Sequence, residues 1–283
     1  MRTYQYEFDK PFKEGGMGRI YLGKHILLQE EVVIKELILK GPEAEKQFLE
    51  EAKILYRHIR HSSFPAVKDF FIYQGHYFLV MDYIRGVSLQ DIIDSGKLPV
   101  QDTICWILDR ILAGLAYLHR QKIIHRDIKP GNIILSFDSL EVEGKKEKEH
   151  RATLVDFGIA RNKVAPPEKE GSGKLTYTRH FASPEQYRGE VCTAASDFYS
   201  LGATAYYALT NVLPLEAIKL KSDNDLKSPH EIDSAIHSQL SAAIMKAMKL
   251  NPLERYKSAG EMQDIFFKIR TNYVNQDWQP HQT

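Results

Sequence analysis

Asp127, Lys129 and Asn132 fall close together in Ile124-His125-Arg126-Asp127-Ile128-Lys129-Pro130-Gly131-Asn132-Ile133-Ile134-Leu135. A long apolar-striped segment precedes them, an apolar run follows, and Pro130-Gly131 bends the chain between. A carboxylate, an ammonium and a carboxamide on so tight a loop can take a proton from a hydroxyl, neutralise a phosphate and hold a metal ion. The bland alternative is a capped turn with Lys129 as a solvated charge.

Two further stretches could serve the same chemistry. In Thr153-Leu154-Val155-Asp156-Phe157-Gly158, a carboxylate ends an apolar strand and Gly158 lets the chain turn, which suits Asp156 as a metal ligand. In Phe12-Lys13-Glu14-Gly15-Gly16-Met17-Gly18-Arg19-Ile20-Tyr21, glycines would let backbone amides approach phosphate oxygens. Alone that stretch reads as readily as a plain hairpin turn. It is followed, however, by Val32-Val33-Ile34-Lys35, and a Gly-rich hairpin with a strand lysine at this distance is a specific pair.

These motifs, in this order, resemble the catalytic domain of a bacterial (Hanks-type) serine/threonine protein kinase over residues 5–270. The resemblance implies an α+β, two-lobed fold: a small β-rich N-lobe with helix C at about 1–81, a hinge at 82–86, and a larger, mainly α-helical C-lobe at about 87–270. Residues 271–283 read as a polar tail. It also implies roles. Asp127 takes or orients the substrate hydroxyl proton, Lys129 offsets γ-phosphate charge, and Asn132 and Asp156 hold Mg2+, with Mn2+ as the alternative. ATP is bound by Gly15, Gly16, Gly18, Ile20, Val33, Lys35, Glu51, Met81, Asp82, Ile84 and Ile134. Glu51, which lies one turn before Leu55 and beside Ala52, pairs with Lys35. Arg126, Phe157, Gly158, Glu185, Asp197 and Arg255 are structural, with Arg255 pairing Glu185 of Ser183-Pro184-Glu185.

The elements that must position these residues are legible in outline. Tyr4–Phe8, Ile20–His25, Val32–Lys35, Phe70–Tyr73 and Tyr77–Met81 read as strands. Ala44–Ile59 reads as a helix with Phe48, Ala52, Leu55 and Tyr56 on one face. Ser88–Ser95 is a short amphipathic piece, and Thr103–His119 is a long helix striped by Ile104, Ile107, Leu108, Ile111, Leu112, Leu115 and Leu118. The mixed charge run in 136–151 reads as a solvated surface loop. Residues 162–178 read as a mobile activation segment with hydroxyls at Ser172, Thr176 and Thr178. A further apolar helix opens at Ser196-Asp197, with Ser or Asp as its cap.

Composition limits the alternatives. Of 283 residues, 43% are hydrophobic and 27% charged, as expected of a globular chain. A formal net charge of +1 gives no field that would favour nucleic acid or a membrane surface. Cys105 and Cys192 have no metal-site spacing, and Cys105 falls in the helical stripe as a core residue. That cysteine usage fits a reducing, cytoplasmic setting, and no apolar run is long enough to span a bilayer. The expected partners are protein substrates and a second copy in a transient homodimer for trans-autophosphorylation.

Two rival readings remain at this level. A pseudokinase would bind partners without transferring phosphate, yet such proteins commonly lose the lysine, base or metal aspartate that are all present here. A small-molecule kinase would usually lack the activation segment and the Ser-Pro-Glu motif. The sequence also departs from the family: Lys13 stands at the first glycine position of the Gly-rich loop, and Val33 replaces an alanine.

Overall fold

The structure is a computed structural model describing residues 5–15, 18–37, 49, 52–53, 56, 60–142, 145–156 and 179–277. The chain forms two compact units, 1–85 and 86–283. In the first, β1 (Tyr6–Phe8), β2 (Lys13–Gly15), β3 (Gly18–His25), β4 (Glu31–Leu37), β5 (Val67–Tyr73) and β6 (His76–Asp82) make an antiparallel sheet. Its order is β1-β3-β4-β6-β5, with β2 paired to β3. The β5–β6 hairpin turns at Gln74-Gly75, both at positive φ (50° and 78°), the left-handed pair that suits the twist of flanking strands.

Alternation along these strands separates two faces. Tyr6, Phe8, Tyr21, Val32, Ile34, Phe78 and Val80 form one buried cluster, and the Phe71 and Phe78 rings stack with centroids 5.0 Å apart. Ile20, Val33, Lys35 and Met81 take the opposite face, as the pairings Ile20↔Lys35 and Val33↔Met81 require. Leu49, Ala52, Lys53 and Tyr56 are helical. Ala52 is buried, but Tyr56 is exposed, so it does not belong to the apolar face expected from spacing.

The second unit contains β7 (Val87–Ser88), α1 (Leu89–Asp94), α2 (Gln101–Arg120), β8 (Ile133–Val142), β9 (Lys145–Leu154), α3 (Pro184–Arg188), α4 (Ala194–Thr210), α5 (Pro229–Ile232), α6 (Ser238–Ala247) and α7 (Ala259–Asp277). All seven residues of the α2 stripe are buried, as is Cys105, whose thiol burial pushes up to about 12. Helix α4 is buried from Ser196 through Leu209, so polar Ser200 and Thr204 return their hydroxyls to the carbonyls one turn back. Its cap is Thr193 rather than Ser196 or Asp197. Ser196 is the third helical residue and accepts the Thr193 N–H at 3.1 Å, which leaves Asp197 available for longer-range bonds.

The charged stretch 136–151 is not a loop. β8 and β9 pair continuously from Ile133↔Leu154 to Val142↔Lys145. Pairing places Glu141 opposite Lys146, a register that composition alone conceals. Helix α7 runs on to Asp277, through the first part of the polar C-terminal stretch. No helix among the described residues is long and apolar enough to cross a membrane.

Candidate active site

Between α2 and β8 the chain passes through His125–Asn132 without a regular element until the 3-10 turn Pro130–Asn132. Asp197, fully buried in the first turn of α4, anchors this passage. Its carboxylate accepts the N–H of His125 at 3.0 Å and of Arg126 at 2.9 Å, and the Nε2 of His119 lies 2.8 Å from it. A carboxylate only accepts, so that imidazole nitrogen carries the proton. Such charge-assisted bonds offset the several kcal/mol that burying an unsatisfied charge would cost, roughly.

Arg126 sits at φ 66°, a left-handed conformation that costs a non-glycine residue on the order of 1–2 kcal/mol. Its peptide groups are held on both sides. Asp197 takes the N–H, and the side-chain Nε2 of Gln186 donates to the carbonyl at 2.9 Å. The next residue is Asp127.

The Asp127 carboxylate accepts from Lys129 Nζ at 2.9 and 3.1 Å and from Asn132 Nδ2 at 3.0 Å. Asn132 Nδ2 also donates to the Asp127 carbonyl at 2.8 Å. With the amide nitrogen so engaged, Asn132 Oδ1 is buried and has no hydrogen-bond partner among the described residues. A buried acceptor left in that state is costly, and a cation would satisfy it. The Val155 N–H donates to the Asn132 carbonyl at 2.8 Å, which places Asp156, itself at φ 63°, next to this site.

No group of three or more His, Cys, Asp or Glu able to hold a metal exists among the described residues. Magnesium does not require one. It keeps waters and takes substrate phosphate oxygens, needing one or two protein oxygens, and the Asn132 and Asp156 donor set fits that. His125, at the start of this passage, is buried. Burial lowers its pKa from the usual histidine range, against the opposing pull of Asp197, Asp127 and Asp156.

Glu185, the last residue of Ser183-Pro184-Glu185, meets Arg255 in a bidentate pair at 2.7 and 3.0 Å and accepts the Ser196 hydroxyl at 2.7 Å. Burial raises the Glu185 pKa, but the hydrogen bonds and charge of Arg255 outweigh it and hold the carboxyl below its ordinary value. The Arg255 guanidinium also lies over the Tyr199 ring, 5.0 Å from its centroid.

In the other unit, Lys35 and Val33 lie mid-strand on β4, Ile20 on β3 and Met81 at the end of β6, sharing one sheet face. Gly15 on β2 and Gly18 on β3 are paired in register. Asp82 is fixed at the end of β6: its N–H donates to the Ala66 carbonyl at 3.0 Å, and its carboxylate accepts the Ala66 N–H at 3.0 Å. Ile84 is half-buried just beyond it, and Ile134 lies on β8 opposite Thr153 and Ser88. Gly16, Glu51, Phe157, Gly158, Ser172, Thr176 and Thr178 lie outside the described residues.

Two residues at the site escaped sequence reading. His119 lies just past the α2 stripe, and its place at the site shows only in the fold, through its contact with Asp197 and the edge of its ring against Phe198. Gln186 carried a readable sign, because Ser183-x-x-Gln186 has capping-box spacing before an amphipathic turn.

An antiparallel sheet carrying Lys35 in one unit, and a mainly helical unit carrying the Asp127, Asn132 and Asp156 constellation, define the protein kinase class. The family model for the protein kinase domain matches residues 6–267, and the chain belongs to that family. It is 33% identical over 273 residues to serine/threonine-protein kinase D of Synechocystis sp., covering 91% of this chain and 51% of that protein. It is 30% identical over 281 residues to serine/threonine-protein kinase PknB of Mycobacterium leprae, covering 94% of this chain and 43% of that one. The chain thus spans about half or less of these curated relatives. The crystal structure of Rad53 1-466 in complex with AMP-PNP superposes with a TM-score of 0.71 at 19% identity, covering 92% of this chain and 64% of that one, which shows the fold.

Proposed function

We propose that this chain is a serine/threonine protein kinase that transfers the γ-phosphate of ATP to protein hydroxyls. The observation that carries this is the Asp127–Lys129–Asn132 cluster, with the Asp127 carboxylate bonded by both neighbours and the Asn132 Oδ1 left unsatisfied. Asp127 accepts or orients the hydroxyl proton of the substrate, and Lys129, now paired with it, offsets charge on the transferring phosphoryl group. Lys35, with Glu51 as its orienting partner, contacts the α/β-phosphates. Ile20, Val33, Met81 and Ile134 pack on the adenine, while the backbone of Asp82 and Ile84 hydrogen-bonds it and Gly15, Gly16 and Gly18 cover the phosphates.

Asn132 and Asp156 would hold Mg2+, or Mn2+ in its place. The ion supplies neutralisation of the phosphate oxygens. Catalysis by the chain itself is positioning and electrostatics, with no covalent intermediate on the protein. The lysine two residues after Asp127, and Thr178 ahead of Ser-Pro-Glu, favour Ser/Thr over Tyr acceptors. ATP use is supported by the AMP-PNP complex of the Rad53 neighbour, and protein substrates by the names of the relatives.

Incubation with γ-labelled ATP, Mg2+ and a generic basic protein tests the reading. Label on protein Ser/Thr supports it. No transfer despite nucleotide binding would indicate a pseudokinase, and label only on small molecules would indicate the other rival.

A further inference from the structure

We infer that Gln186 is a positioning residue for Asp127, a role that rests on the kinase reading above. The Gln186 side chain is buried and hydrogen-bonded at both ends of its amide. Its Oε1 accepts the Ser183 N–H at 2.9 Å and the Ser183 hydroxyl at 3.1 Å. Those two donors fix which end of the amide is oxygen, so the nitrogen faces the Arg126 carbonyl, 2.9 Å away. That carbonyl belongs to the peptide unit joining Arg126 to Asp127, and the N–H of the same unit faces His125 Nδ1 at 3.4 Å.

The arrangement matters because Arg126 is left-handed. Asp197 fixes the peptide before it and Gln186 fixes the peptide after it. Releasing the second clamp lets the Arg126–Asp127 peptide plane rotate and swings the Asp127 carboxylate relative to Asn132 and Lys129. Catalysis by positioning tolerates displacements of this kind poorly. The same bond ties the Ser183–Arg188 segment to the loop, so displacement of that segment is transmitted to Asp127.

The test separates this role from helix capping. Gln186→Glu keeps an oxygen for Ser183 but replaces the donor facing Arg126 with an acceptor. Ser183→Ala removes the hydroxyl bond but leaves the backbone N–H that orients Gln186. With Mg·ATP and a generic protein substrate, Gln186→Glu should lower kcat about thirtyfold, with KM for ATP within about threefold of wild type. Ser183→Ala should lower the melting temperature and keep kcat within about threefold. If Gln186→Glu does not fold, Gln186→Met, close in volume and without a donor, carries the same kcat expectation. Wild-type kcat in the folded Gln186 variant, or equal kcat losses in the Gln186 and Ser183 variants, overturns the inference. A wild-type protein that transfers no phosphate would instead fail the kinase reading itself.

Discussion

Arg255 reaches Glu185, 70 residues earlier in the chain, through two guanidinium hydrogen bonds of 2.7 and 3.0 Å, with both side chains almost wholly withdrawn from solvent. The remaining Arg255 donors meet the Ala195, Lys249 and Leu250 carbonyls, so one side chain joins α3, the start of α4 and the segment after α6. Removing one partner leaves the other charge buried without compensation. Arg255→Met should therefore destabilise the second unit by roughly 3–5 kcal/mol. At about 2–4 °C per kcal/mol the melting temperature should fall by on the order of 10 °C, read by calorimetry. A shift of a degree or two would show that the pair is dispensable.

Acid should destabilise the protein in two stages. Burial lowers the pKa of His125, so between its folded value and the ordinary value of about 6.5 the unfolded chain binds the extra proton. Stability from this group is therefore full above about pH 6.5 and declines below it. Glu185, also lowered, adds a second loss below its ordinary carboxylate range. Urea unfolding of wild type and His125→Phe from pH 7.5 to 5 should show a steeper decline in the wild type. Parallel curves would remove His125 as the origin.

Much of this was legible in the sequence, and what was not has physical causes. The α2 stripe succeeded because seven apolar residues at helical spacing leave one face with nowhere to go but the core. The 136–151 stretch reads as a loop because a charge run carries no sign of register, so Glu141 and Lys146 look like neighbours along the chain rather than opposed positions on two strands. The α4 cap was misplaced because Ser196 and Asp197 are both cap-type residues, and only the fold shows Asp197 bonded to His125 and Arg126, more than seventy residues away. Gln186 has the same character: its local box is readable, but its bond to the Arg126 carbonyl spans 60 residues.

Arg126 adjoins Asp127, and an arginine there can pair bidentately with a phosphorylated side chain. Protein incubated with Mg·ATP should acquire phosphate within 162–178, at Ser172 or Thr176 before Thr178. Peptide mass spectrometry reads the sites. An active protein with no phosphate in that segment would place regulation elsewhere.

Lys13 occupies the first glycine position of the Gly-rich loop, on β2 opposite Ile20. That register sets Lys13 on the sheet face that carries Ile20 and Lys35, and we propose that phosphate contacts are still made by the backbone of this stretch. Lys13→Gly should thus change the KM for ATP by less than about tenfold, or ~1.4 kcal/mol. A hundredfold fall in kcat/KM would make Lys13 part of the site.

Asp127 is the residue on which the kinase reading depends, and Asp127→Asn removes its basicity while keeping its size. The decisive measurement is the kcat of wild type and Asp127→Asn on a protein substrate, alongside the Kd of each for Mg·ATP. The expected result is a kcat lower by at least about a hundredfold with Kd within about threefold, as for loss of a positioned base. Near wild-type turnover by Asp127→Asn, with contaminating kinase excluded, would contradict it.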